Sequence, residues 1–173
     1  DDPAYADKAQ QLAAKTYEFS QFVYRVLHIQ NAGAQLDTTA TYHRSCHMTR
    51  LLGARTAPFE LLKHVAGLTM IPLPHLENCC GFGGLFSVKE PEISKQMVDE
   101  KVDSVVSTHA EVLISCDQAC LMNIVGRFNR RGEHIKVMHL AEVLNSNVDM
   151  SRVAYIDEAD LVPGGGTYAN QNQ

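Results

Sequence analysis

The sequence predicts an α/β layer fold: a mostly parallel sheet with helices on both faces. Three observations point there. Short segments rich in β-branched residues alternate with segments whose apolar residues recur at helical spacing. One of them, A-E-V-L-I-S at residues 110–115, carries the apolar run of a strand covered on both sides. The 173 residues, 45% apolar and 20% charged, suit one well-packed core.

Each element has its own signal. Leu12, Phe19, Val23, Val26 and Leu27 keep helical spacing between Asp7 and Leu27, and Asp1-Asp2-Pro3 supplies start chemistry. N-A-G-A-Q-L-D then breaks the pattern, and T-T-A-T-Y-H at residues 38–43 reads as a strand. After Cys46, M-T-R-L-L-G allows a helical turn, and Pro58 opens a helix that Gly67 is expected to close. L-T-M-I-P-L at residues 68–73 is a second strand, followed by E-N-C-C-G-F-G-G-L-F-S. Ser87 and Glu90 have capping-box spacing before a long helix. Its apolar face is Ile93, Met97, Val98, Val102, Val105 and Val106. Residues 110–115 form the third strand, C-D-Q-A-C begins a helix, I-K-V-M-H-L is a fourth strand and L-A-E-V-L-N-S a short last helix. The tail, residues 148–173, has no periodicity and is read as irregular, leaving residues 1–147 as the domain.

Composition narrows the classes. Net charge is −5, and the longest basic cluster, Arg127 with Arg130 and Arg131, reads as a solvated helix end, so no nucleic-acid partner is expected. No segment reaches the ~20 apolar residues of a membrane span, and no secretory signal opens the chain. The cytoplasm is the simplest compartment. A first residue of Asp1 suggests a fragment of a longer protein.

The five cysteines carry the chemistry. An odd number, with Cys79 and Cys80 adjacent, makes a poor disulfide framework and suggests metal or redox chemistry. Cys46 follows the first predicted strand, Cys79 and Cys80 the second, and Cys116 and Cys120 the third. A parallel sheet gathers all three positions at its C-terminal edge, where open α/β folds bind ligands. The helix N-termini there favour thiolates. Three readings compete for the cluster. A zinc site would make the chain a structural or assembly module, although the C-x2-C knuckle common in such sites is absent. A metal-free thiol–disulfide oxidoreductase would use pairs of these thiols. An iron–sulfur centre would use thiolate ligands, with glycines letting the loop wrap it. Gly81, Gly83 and Gly84 suit that wrapping. They lack the Lys-Ser/Thr ending of a nucleotide-phosphate loop. Around the crevice, His43, His47, His75 and His139 could tune charge or pass a proton, and Arg50 could bind a carboxylate. Phe82 and Phe86 could shield the centre from water.

The stretches C-H-M-T-R-L-L-G, N-C-C-G-F-G-G-L-F-S-V-K, Q-M-V-D-E-K-V and C-L-M-N-I resemble the LutA/YkgE family of lactate-utilisation iron–sulfur proteins. Their cysteine-rich CCG domain also occurs in heterodisulfide reductase and in the iron–sulfur component of glycolate oxidase. The resemblance implies a cytoplasmic iron–sulfur subunit that acts with partner subunits in oxidising L-lactate to pyruvate, carrying electrons through a [4Fe-4S]-type cluster. It implies Cys46, Cys79, Cys80 and Cys120 as ligands. The first cysteine of the family's C-x2-C falls at Asp117, which leaves a carboxylate ligand, an outer-shell group or a helix N-cap open. Cys116 lies one residue off the pattern. The family's N-terminal half, with its second cysteine motif, is missing here. No flavin motif is visible, so the hydride-accepting step is expected elsewhere. A small 2-hydroxy acid is the substrate class implied, and retention of a cluster on aerobic preparation stays open.

Overall fold

The computed structural model describes residues 2–157 and 160. Two helices precede the sheet region: α1 (Ala6–Ala13) and the single turn α2 (Phe19–Gln21), which runs into a π-helical turn, Phe22–Val26. The strands are β1 (Ile29–Ala32), β2 (Gln35–Tyr42), β3 (Ala66–Met70), β4 (Val112–Ser115), β5 (Lys136–His139) and β6 (Val153–Tyr155). The remaining helices are α3 (Ala57–Leu62), α4 (Leu85–Lys89), α5 (Pro91–Ser107), α6 (Gln118–Arg131) and α7 (Leu140–Leu144). A four-stranded, all-parallel sheet runs in the order β3-β2-β4-β5, and β1 pairs antiparallel with β6 as a separate ribbon. The predicted α/β class holds, with helices on both faces.

Strand parity explains the two layers. In β4, Val112 and Ile114 enter one core with Tyr42, Leu61, Leu62, Leu140 and Val143, while Leu113 enters the other with Val98, Val102, Val105, Leu121, Ile124 and Phe128. Alternate side chains of a strand point to opposite faces, so a strand buried on both sides must be apolar throughout. Leu113 and Ile114 are both fully buried. Each such burial contributes roughly 1.5–3 kcal/mol.

The chain winds outward in one direction through β2 and β3 and in the other through β4 and β5, so the topological switch lies between β2 and β4. The C-terminal ends of the strands lie at that edge, where open α/β folds bind ligands.

Several elements differ from expectation. The helix expected over residues 7–27 is broken after Ala13. The Thr16 hydroxyl donates to the Leu12 carbonyl, which a continuing helix would have used for a backbone bond, and Glu18 caps a new start at α2 by accepting from Ser20 and Gln21 N–H. β1 occupies part of the predicted break, because Val153–Tyr155 supplies its partner strand. Residues 150–155, expected to be irregular tail, instead form a 3₁₀ turn and β6. The Pro-Gly-rich part of that tail lies outside the described residues. Gly67 does not close α3 but lies within β3. The Ser87–Glu90 capping box is not formed: Ser87 Oγ donates to the Gly84 carbonyl, and Glu90 is itself the N-cap position of α5. The basic cluster is not simply a solvated helix end either. Arg127 pairs with Asp99, and Arg131 reaches Asp103 at 2.7 Å, tying α6 to α5.

Candidate metal centre

Cys46 opens a second π-helical turn, His47–Leu51, directly beyond the end of β2. Such turns are frequent at functional sites. Cys79 and Cys80 sit on the loop between β3 and α4. Cys120 lies in the first turn of α6, after β4. The Cys80 and Cys120 sulfurs are 2.7 Å apart, and with a ring nitrogen of His43 they lie within 4.8 Å of one another. Cys79, adjacent in the chain to Cys80, and Cys46, beyond the end of β2, lie beside this group but outside that tight set.

The loop glycines bear on that contact. Gly81, Gly83 and Gly84 all have positive φ. At Gly81 a Cβ would stand 2.6 Å from the Ser94 carbonyl oxygen, so only glycine lets the loop press against α5. Ser94 Oγ donates to the Gly81 carbonyl at 2.7 Å and holds it there. The Gly81 N–H points at Cys79 Sγ at 3.4 Å, and the Phe82 N–H serves Cys80 in the same way. Asn123 of α6 donates to the Cys80 carbonyl at 2.8 Å, locking the loop to the Cys120 helix.

As free thiols these groups resist ionisation. Hydrogen bonding to Cys80, then burial, raises the Cys79 thiol far above its ordinary range. The contact with Cys120, reinforced by burial, pushes Cys80 up to about 12. Burial and the neighbouring Cys79 raise Cys46. A metal cation would invert that preference.

His43 is the residue whose importance sequence reasoning understated. It is fully buried, and neither ring nitrogen has a hydrogen-bond partner among the described residues. Its donor atom and the sulfurs of Cys80 and Cys120 all lie within 4.8 Å of one another. Burial, helped by the Lys101 charge, lowers its pKa to about 3, so the imidazole is neutral and able to ligate or donate. Its signal in the sequence is the parity of β2: one residue beyond Tyr42, it falls on the opposite face.

The other predicted residues divide. Asp117 caps α6: its carboxylate accepts from the Ala119 and Cys120 N–H groups and from Ser45 Oγ at 2.6 Å, bridging the β2 and β4 junctions. Burial opposes its ionisation, and these hydrogen bonds outweigh burial to hold it below the usual carboxylate range. Cys116 turns to the opposite face, where it accepts from the Tyr42 hydroxyl at 3.3 Å and burial raises it to about 12. His139 uses Nδ1 to cap α7, accepting from the Ala141 N–H, and is thereby occupied structurally. His47 and Arg50 are exposed beside Cys46, and His75 is exposed upstream of the cysteine pair. Phe82 packs into the α5–α6 core.

This fold and this gathering of thiols define a cysteine-rich α/β domain, and residues 40–125 match the family described as the cysteine-rich domain, CCG. Over 146 residues, 84% of its length, the chain is 60% identical to lactate utilization protein A of Bacillus subtilis strain 168. It is equally similar to that of Bacillus licheniformis. Lactate utilization protein A of an Exiguobacterium species is 58% identical over 148 residues. The chain carries this cysteine-rich domain and spans about 60% of the length of these relatives. Among the described residues no helix is long and apolar enough to cross a membrane.

Proposed function

We propose that Cys46, Cys79, Cys80 and Cys120 hold an iron–sulfur centre of the [4Fe-4S] type. On this reading the chain carries electrons in the oxidation of L-lactate to pyruvate, as part of a cytoplasmic multi-subunit system that includes the remaining portion of its longer relatives. The single observation that supports it best is the delivery of cysteines by three separate β–α junctions, with the Cys80 and Cys120 sulfurs 2.7 Å apart. The relatives' name, lactate utilization protein A, supplies the physiological setting.

The donor set fits such a group. When bound, an iron–sulfur cluster supplies one-electron exchange. The protein's own residues do the rest. The N–H groups of Gly81 and Phe82 meet sulfur, which disperses negative charge and favours the reduced state. The turns at Gly83 and Gly84 keep the loop wrapped over the pocket. Asp117 orients the Cys120 helix by capping it, and in this reading it positions a ligand rather than serving as one. Exposed His47 and Arg50 give the open side of the crevice a polar rim suited to a partner's or substrate's carboxylate.

One observation favours a second reading. A buried imidazole beside two thiols is also a zinc donor set, which would make the domain a structural module. Anaerobic reconstitution with iron and sulfide, followed by metal analysis and EPR, separates the two. Iron and sulfide bound by the wild type and lost in Cys79→Ser support the first reading. Zinc retained with no iron uptake supports the second.

A further inference from the structure

Lys101 lies in the middle of α5, facing inward, and is completely buried. Its ammonium donates to the carbonyl of His75 at 3.0 Å and to that of Leu76 at 3.5 Å. Among the described residues no carboxylate lies within ion-pair distance of it. The acids on either side of it in α5, Asp99 and Asp103, turn outward to Arg127 and Arg131. Glu77 is held at 2.6 Å by Arg44 and is largely exposed. A buried charge is expensive unless something compensates it, and a buried lysine without an acid is the less stable choice beside an apolar side chain of the same length. The groups nearby that become anionic on binding metal are the cysteine sulfurs, carried by the loop that Lys101 holds. Burial depresses Lys101, and the charges that act against burial come, in order, from Cys80, Cys79 and Cys120, ahead of Glu77. The two carbonyls it grips belong to the segment leading directly into Cys79.

We propose that the Lys101 ammonium is the built-in countercharge of the cysteine centre. It balances the thiolates of Cys79, Cys80 and Cys120 when metal is bound, and it raises the reduction potential of the loaded centre. The inference rests on the metal-centre reading above and deepens it. Lys101 is a positioning residue: it holds the loop by two carbonyls and acts on the centre through space. Reduction adds negative charge to the centre. A fixed cation nearby stabilises the reduced form more than the oxidised one, so its removal must lower the potential.

The test compares wild type with Lys101→Met and Lys101→Arg after anaerobic iron–sulfide reconstitution, by EPR-monitored redox titration. In parallel, Co(II) alone is titrated into the unloaded proteins, read by thiolate-to-cobalt absorption, and each is melted with and without metal. Lys101→Met is expected to load, with reduction disfavoured about tenfold, or ~59 mV toward negative for a one-electron couple. Its cobalt affinity is expected to fall about tenfold, and Lys101→Arg to stay near wild type. The unloaded Lys101→Met is expected to melt no lower than wild type, a result that a purely structural lysine would not give. A wild-type potential and cobalt affinity in Lys101→Met would overturn the proposal, as would equal destabilisation of its loaded and unloaded forms. If Lys101→Met fails to fold, Lys101→Gln, which keeps donors to the carbonyls, carries the same expectations. A wild type that binds neither iron–sulfide nor cobalt overturns the metal-centre reading as well. Loading without a Lys101 effect removes only this inference.

Discussion

On one face of the sheet, Ile114 and Tyr42 pack among Leu61, Leu62, Leu140 and Val143, and the Tyr42 ring meets Phe59 edge-on with centroids 4.8 Å apart. Cys116 belongs to this face, and the Tyr42 hydroxyl satisfies it. On the other face, Leu113 packs among the valines of α5 and the aliphatics of α6, but the same layer also buries Cys80, Cys120, His43 and Lys101. Among the described residues His43 has no hydrogen-bond partner there, and Lys101 meets carbonyls rather than an anion. Two layers that share one sheet thus follow different rules. The first is satisfied by apolar contact, whereas the second also carries buried polar groups, of which His43 finds no partner among the described residues and Lys101 finds only carbonyls. Unsatisfied buried groups in an otherwise consistent fold mark a place where function, not stability, set the residue.

The largest expected effect breaks the comparison at the two cysteines of a single β–α junction. If the iron–sulfur reading holds, Cys120→Ala should lower the iron bound after anaerobic reconstitution more than about tenfold, because it removes one of the proposed thiolate ligands. Cys116→Ala, four residues away but on the other face, should retain it, as iron and sulfide analysis would read. Equal loss in both would mean that the faces are not chemically distinct.

A second comparison sets the cores against each other. Ile114→Ala and Leu113→Ala, adjacent and equally buried, should each cost about 2–5 kcal/mol in urea unfolding of the metal-free chain. A much smaller cost for Leu113→Ala would show that the cysteine-bearing layer is the more loosely packed of the two.

Backbone substitutions sharpen the picture further. Gly81→Ala must adopt positive φ and also drive a methyl into the Ser94 carbonyl, a cost of about 2–3 kcal/mol. Gly132→Ala, at the left-handed end of α6 with open space around it, should cost about 1 kcal/mol. Thermal melts of the two variants would separate local strain from the close approach that the cysteine loop needs.

The smallest effect concerns the tie between α5 and α6. Hydrogen bonding to Arg127 is the largest influence on Asp99 and holds its carboxyl below the usual value. The unfolded chain then binds the proton more readily, so the stabilisation is present above about pH 4 and is lost as pH falls through the depressed folded value. Acid unfolding of Asp99→Asn should lack that component, with a difference of about 1 kcal/mol at neutral pH for this part-buried pair.

Much of this is legible in the chain. Strand identity comes from β-branched runs, helix identity from apolar spacing, and the C-terminal gathering of cysteines from the rule that parallel strands end together. The elements that depart from expectation are those decided by a distant partner or a single side chain. β1 exists because residues 153–155 pair with it, and the break after Ala13 turns on the Thr16 hydroxyl and the Glu18 cap. His43 is visible as a histidine near a cysteine, but that neither ring nitrogen finds a hydrogen-bond partner among the described residues depends on what encloses it.

The sequence by itself determined the α/β class, the two-faced burial of β4 and the presence of thiols at three β–α junctions, because each follows from periodicity and connectivity along the chain. Only the tertiary structure decided which thiols meet, that Cys116 and Cys120 part to opposite faces, and that Lys101 and His43 are sealed in with the cysteines. Burial and charge compensation depend on neighbours distant in sequence, and close packing brings those neighbours together only after the chain has folded.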